Sequence, residues 1–234
     1  MLRKETISPD CLILLQELMT LPELQTFRLA GGTALSLQYG HRISVDLDMF
    51  TDRSFDLAEL EVALRERYPT FIKDFSNRLG FSGYIKGVKT DFVNWSVPFT
   101  RPIIEIDNIR LTSPEEIAAM KLETISSRQM KKDYYDIYEL LKYYSLAQMF
   151  DFYKERYPYN NAKTPIEFLV AAHLADGSPE PEMLLTTDWT TVKTTIQDSA
   201  RAYIEALKDK KTEQEALKWK NLEDKIKQIK GKKG

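Results

Sequence analysis

Asp46 and Asp48 stand two residues apart in the segment Ile43-Ser-Val-Asp-Leu-Asp-Met-Phe50, in which apolar residues fill positions 43, 45, 47 and 49. On a β-strand successive side chains alternate between faces, so both carboxylates leave one face while the other face is apolar. Such a pair can share one or two hard divalent cations, or it can be surface decoration. Gly31-Gly32-Thr33 comes earlier, with Gly32 fourteen residues before Asp46, and opens a helical pattern that Gly40 closes. Unhindered N–H groups at a helix start, aligned with its dipole, suit a phosphate, and the plainer reading is a glycine turn that needs positive φ. Neither a G-x-x-x-x-G-K-[ST] loop nor a G-x-G-x-x-G fingerprint occurs. Arg42, between the glycines and the acids, can meet a phosphate through two N–H groups at once, and His41 beside it reads as a turn residue. Asp91, in Lys89-Thr-Asp-Phe92, offers a third carboxylate on a later strand or else a strand-edge charge.

The elements that would position these groups can be read from periodicity and caps. Ser8-Pro9-Asp10 predicts a helix start, and Phe27 to Ala30 predicts a short strand that delivers the chain to the glycines. Strand, glycine turn, helix and strand therefore follow one another to Phe50. Residues 55–68 read as helix, and Phe71–Phe75, Gly83–Lys86, Lys89–Trp95 and Ile103–Leu111 as strands, which makes residues 1–112 a mixed α+β unit. Residues 113–234 read as mainly helical. Ser113-Pro114-Glu115-Glu116 has the form of a capping box, and Thr164-Pro165-Ile166-Glu167 repeats it. Lys121, Ile125, Arg128, Lys132 and Asp136 step by three or four residues, so one long helix would align them along one side. A break near Gln129 is the other reading, and an exposed salt-bridged stripe is the alternative to a catalytic role. His173, after an apolar run, reads as a core histidine.

A Gly-Gly helix start followed by an acidic pair on the next strand resembles the nucleotidyltransferase fold of the DNA polymerase β type. Phe27-Arg-Leu-Ala-Gly-Gly-Thr-Ala-Leu through Ser44-Val-Asp-Leu-Asp-Met-Phe50 is similar to the first motif of the AbiEii/AbiGii (MenT-like) nucleotidyltransferase toxin family. Ile117-Ala-Ala-Met-Lys121, Arg128 and Lys132-Asp133-Tyr-Tyr-Asp136 resemble its second block. The resemblance implies an α+β fold: a nucleotidyltransferase-like mixed sheet with flanking helices, followed by a mostly helical C-terminal region. It implies Mg²⁺-dependent transfer of a nucleoside monophosphate from an NTP to an RNA, a tRNA 3′ end among them, or to a protein. It further implies that Asp46 and Asp48 bind the metal with Asp91 as the third acid, that Lys121 contacts the phosphates, and that Asp136 completes the site. Gly31, Gly32, Thr33, Arg42, Ser44, Arg128 and Lys132 would bind the nucleotide. The protein would be the toxin half of a toxin–antitoxin or phage-defence pair with a cognate antitoxin. The alternative is a nucleotide-binding regulator without turnover. The Lys121 charge is expected to matter to rate far more than to folding. Where the family carries a pair of acids, this chain reads Ala175-Asp176-Gly177-Ser178, which leaves a role for Asp176 open.

Composition removes other classes. One cysteine, Cys11, and two histidines among 234 residues support neither a disulfide framework nor a Cys/His zinc site. The apolar run Leu12–Leu15 is too short for a signal peptide and no stretch approaches the ~18–20 residues of a membrane span, so a cytoplasmic setting without membrane contact is expected. Thirty-three basic against 35 acidic residues leave a net charge of −2, so any polyanion must be met by patches. Residues 207–234 carry ten lysines against five acids, and this tail reads either as a ladder for an RNA backbone or as a helix packing through Trp219, Leu222 and Ile226.

Overall fold

Ser8 accepts the Cys11 N–H at 3.1 Å with Pro9 in the first turn, and helix α1 (Pro9–Thr20) then turns Cys11, Leu14, Leu15, Leu18 and Met19 inward. The computed structural model describes residues 1–95 and 97–209, and the expectation for the lysine-rich tail falls almost wholly outside them. Strand β1 (Arg28–Ala30) runs without a loop into α2 (Gly31–Tyr39), and strand β2 (Leu47–Thr51) follows. The chain continues through α3 (Leu57–Arg67), β3 (Ile72–Asn77), β4 (Gly80–Ile85), β5 (Val88–Asn94), β6 (Ile104–Ile106) and β7 (Ile109–Leu111). Seven strands form one mixed sheet in the order β3-β4-β5-β2-β1-β7-β6. β2 pairs antiparallel with β1 and parallel with β5, while β1 pairs parallel with β7.

Helices dominate beyond the sheet: α4 (Pro114–Ile125), α5 (Lys131–Leu140), α6 (Leu146–Arg156), α7 (Lys163–Val170) and α8 (residues 189–209). α4 packs against α2, α5, α6 and α7. One cluster of buried apolar side chains joins the sheet, through Leu29, Leu47, Met49 and Phe92, to the helices, through Ile117, Leu122, Tyr134 and Phe150. No helix among the described residues is long and apolar enough to cross a membrane.

The predicted strand from Ile43 to Phe50 is shorter than its alternation suggests. The Ile43 N–H bonds the Glu182 carbonyl at 2.8 Å and the Ser44 N–H bonds that of Thr6 at 2.9 Å, so sheet pairing begins only at Leu47. Asp46 consequently precedes the strand, and Val45 is exposed rather than on the apolar face. The helical stripe breaks at residues 126–130, near Gln129. Ser126 Oγ and Thr124 Oγ1 bond the carbonyls of Leu122 and Met120, while the Gln129 amide bonds that of Ile125. Side chains that bond backbone carbonyls in this way compete with helix continuation.

Ser113 caps α4, but Glu116 does not reach back to complete the box. Its carboxylate instead receives the Arg101 N–H at 2.8 Å and the buried Arg156 guanidinium. Thr164 caps nothing, because α7 starts one residue earlier, at Lys163, whose N–H bonds Asn161 Oδ1. His173 is exposed, in a short 3-10 turn, rather than in the core.

Candidate active site

The register of three strands assembles the acids. Ala30 of β1 faces Asp48 of β2, and Asp48 faces Asp91 of β5, so the glycine turn that follows Ala30 lies beside two carboxylates. In β2 the pattern alternates, with Leu47, Met49 and Thr51 buried below and Asp48 and Phe50 half-buried above. The upper face opens into a cavity of about 660 Å³ lined by Gly31, Gly32, Arg42, Ser44, Asp46, Asp48, Asp91, Lys121, Arg128 and Lys132. Ten of the twelve residues singled out from the sequence therefore share one cavity. Thr33 and Asp136 stand behind its wall.

Both glycines are demanded by close approach. Gly31 has φ +65°, and a Cβ there would lie 1.9 Å from Asp48 Oδ2, while a Cβ on Gly32 would lie 2.1 Å from an Arg42 guanidinium nitrogen. Gly31→Ala is expected to cost at least ~1–2 kcal/mol, because an L-residue is strained at that φ and Asp48 must move. Gly177→Ala, with open space around it, should stay within about 0.5 kcal/mol of the wild type. Urea unfolding of the two variants checks the difference. Among the described residues no side chain caps α2, so its first-turn N–H groups are open to a ligand or water. Thr33 is buried, its hydroxyl bonded to the Asp46 carbonyl and 2.8 Å from Ser44 Oγ. It fixes the backbone that carries Asp46.

The acids lie in a partly dry, negative environment. Burial pushes the Asp48 carboxyl up to about 6, with Asp91 and Asp46 adding to the rise against Lys121 and Lys132. Burial also raises Asp91, opposed by Lys89, and its Oδ1 is buried with no hydrogen-bond partner among the described residues. Lys89 and Lys132 line the cavity, and among the described residues neither is held in an ion pair, so both ammonium groups are available to an anion. The alternation that exposes Asp91 puts Lys89, two residues earlier, on the same face.

Beside these acids lies a second charge cluster, mostly buried and held together by ion pairs. Asp136 receives Arg42 Nε at 2.7 Å and Nη2 at 2.9 Å, His41 Nε2 at 2.7 Å and Lys121 Nζ at 2.5 Å. Lys121 Nζ also meets Asp133 at 2.8 Å, and Arg128 Nε meets Asp133 at 3.0 Å. Burial alone would raise the Asp136 carboxyl, yet Arg42, Lys121 and the His41 bond hold it well below the usual carboxylate range. Burial likewise opposes charge on Lys121, and Asp133 and Asp136 outweigh it and raise the ammonium. His41 is thus a buried partner of Asp136 and not a plain turn residue. The expectation that Lys121 matters little to folding is corrected, since its ammonium is buried between two carboxylates. Arg42 has most of its guanidinium committed to Asp136 and the Ile43 carbonyl. Asp176 lies on the surface, bonded to Trp189 and Lys193.

The chain matches, over residues 13–224, the family described as nucleotidyl transferase AbiEii toxin, type IV TA system. Its fold is similar to the crystal structure of JHP933 from Helicobacter pylori, with a TM-score of 0.54 and 18% identity over 91% of this chain and 99% of that one. It is also similar to MenT4, a nucleotidyltransferase toxin of Mycobacterium tuberculosis H37Rv, with a TM-score of 0.53 and 12% identity over 82% of this chain and 80% of that one. An uncharacterized protein of Aquifex aeolicus (strain VF5) is 33% identical over 136 residues, 55% of this chain and 64% of that protein, so the match spans less than two thirds of that relative. A family match over most of the length, on a mixed sheet whose glycine turn meets an acidic pair, places this chain in the AbiEii nucleotidyltransferase toxin family.

Proposed function

We propose that the protein is a Mg²⁺-dependent nucleotidyltransferase that moves a nucleoside monophosphate from an NTP to a hydroxyl of an RNA, with tRNA as the first acceptor to test. The observation that carries this reading is that Asp46, Asp48 and Asp91 line one cavity together with a glycine helix start and with Lys89 and Lys132, which form no ion pair among the described residues. Residues 1–112 would hold the nucleotide and residues 113–234 would contribute Lys121 and Asp136. The family match supports a toxin role with an antitoxin partner, and a place in phage defence inside the cytoplasm belongs to the same proposal.

Among the described residues no three His, Cys, Asp or Glu side chains converge as a ready-made metal cage. Mg²⁺ seldom needs one, since it keeps several waters and binds through one or two carboxylates plus substrate phosphates. The unpartnered Asp91 Oδ1 and the raised Asp48 carboxyl mark where added positive charge is favourable, and so fit such a cation. Asp46 and Asp48 would hold it, and when bound it would neutralise charge on the phosphates. The first-turn N–H groups at Gly31 and Gly32, with Lys132 and Lys89, would take the β- and γ-phosphates. The acceptor oxygen then attacks the α-phosphorus, the bond from that phosphorus to the β-bridging oxygen breaks, and pyrophosphate leaves. The Asp91 carboxylate, whose buried Oδ1 has no hydrogen-bond partner among the described residues, would take the hydroxyl proton. Lys121 acts from the cavity wall as fixed positive charge.

Incubation with each α-labelled NTP, Mg²⁺ and total tRNA tests this. Label is expected on RNA with the wild type and not with Asp46→Asn. NTP binding without transfer to RNA or protein would favour a nucleotide-sensing regulator instead.

A further inference from the structure

The face that carries the carboxylates does not end at them. Asp48 pairs in register with Asp91, and the next residues on the same face are Phe50 and Val93, also in register, followed by Trp95. The Trp95 N–H bonds the Thr51 carbonyl at 2.7 Å, which keeps it alongside β2 after the strand ends. The rings of Phe50 and Trp95 stack with centroids 5.5 Å apart and planes 12° from parallel. Both are half-buried and line the same cavity as the acids. Elsewhere in this core stacked or edge-on rings, such as Phe27 with Phe92, serve packing, and neither of those two rings lines the cavity.

Two residues along a strand cover about 6.6 Å, a distance of the same order as the ribose between an α-phosphate and its base. A triphosphate held at Gly31–Gly32, with its α-phosphate over Asp46 and Asp48, therefore brings its base to the aromatic pair. We propose that Phe50 and Trp95 form a stacking subsite for the nucleobase of the donor nucleoside triphosphate, an inference that rests on the reading of the cavity as an NTP site. Every base has a π-face, so the stack supplies affinity without strong choice among bases. Choice falls to polar edges, and Asn160, which lines the same cavity, carries an amide that both donates and accepts. The Trp95 indole N–H, buried and without a partner among the described residues, adds a donor beside the ring.

The test compares two probes, a non-hydrolysable NTP analogue and inorganic tripolyphosphate, each with Mg²⁺, by calorimetry. The analogue carries the base and tripolyphosphate lacks it. Trp95→Ala and Phe50→Ala are expected to weaken the analogue by about 5- to 150-fold, the usual range for one lost base stack, and to leave tripolyphosphate affinity unchanged. Unchanged tripolyphosphate binding also reports that the phosphate end is still folded. Trp95→Phe, which keeps a stacking ring and little else of the indole, should recover most of the loss. Equal affinity of the wild type for both probes, or an analogue affinity that neither variant alters, overturns the subsite while the NTP reading stands. Variants that change only the KM of the RNA acceptor overturn it too, and assign the rings to the acceptor. A wild type that binds neither probe overturns the NTP reading and the subsite together.

Discussion

Asp48→Asn is expected to lower nucleotide transfer by at least about 10³-fold while melting no lower than the wild type. A cation held between carboxylates and phosphates contributes several kcal/mol of charge stabilisation in the transition state, and each 1.36 kcal/mol is a factor of ten. Asparagine keeps the shape that Gly31 requires but removes the charge that would hold the cation. Folding gains from the same change. Burial and the neighbouring Asp91 and Asp46 disfavour the ionised Asp48, as its raised carboxyl records, so a neutral isostere relieves repulsion. A residue that folding would lose willingly and catalysis cannot lose is the mark of a functional charge. Thermal melts and label transfer measured on the same preparation check both halves. A variant that retains a tenth of wild-type activity would remove Asp48 from the site.

Asp136→Ala is expected to act in the opposite way and cost about 3–5 kcal/mol of folding stability. It leaves Arg42, Lys121 and His41 around a buried site without their shared anion, and an uncompensated buried charge is expensive. Since whole domains are stable by only ~5–15 kcal/mol, much of the fold is at stake. Arg128→Ala provides the contrast. Its side chain is 53% exposed, and a surface pair contributes only about 0–1 kcal/mol. The pH dependence follows in sign. Asp133 and Asp136 are held below the ordinary carboxylate value by Lys121, Arg128 and Arg42 against the effect of burial. Their contribution is fully present above about pH 4, the unfolded value, and is lost only as the pH falls through the lower folded values. Urea unfolding at neutral pH, with an acid titration beside it, measures both. An Asp136→Ala variant as stable as Arg128→Ala would show the cluster to be dispensable to the fold.

The contrast between these two acids also shows what the sequence made legible. Period-two alternation and glycine chemistry are local, so Asp48, Gly31, Gly32 and the cap at Ser8 could be found within short windows. Lys89 obeyed the same alternation two residues before Asp91 and could have been found with it. Asp136 is legible through the resemblance, but its surroundings are not, because Arg42 and His41 lie 94 and 95 residues away. The short start of β2 has the same cause, since residues 43 and 44 bond Glu182 and Thr6 rather than the sheet. So has the start of α5, where the Lys131 N–H is met by Ser178 Oγ, 47 residues on. The helical stripe of charges is not a uniformly exposed salt-bridged face: Lys121 and Asp136 are buried in one charge network, while Arg128 and Lys132 line the cavity.

Transfer of a nucleoside monophosphate in this cavity is decided by the position of the label that moves. The wild type is incubated with the acceptor and one NTP labelled either at the α- or at the γ-phosphate, and the acceptor is then isolated. The proposed placement, with the acids at the α-phosphate and the glycines at the terminal phosphates, predicts α-label on the acceptor and γ-label released as pyrophosphate. Transfer of the γ-label to the acceptor would contradict it, because the reaction would then be phosphoryl transfer and the cavity would hold its substrate the other way round.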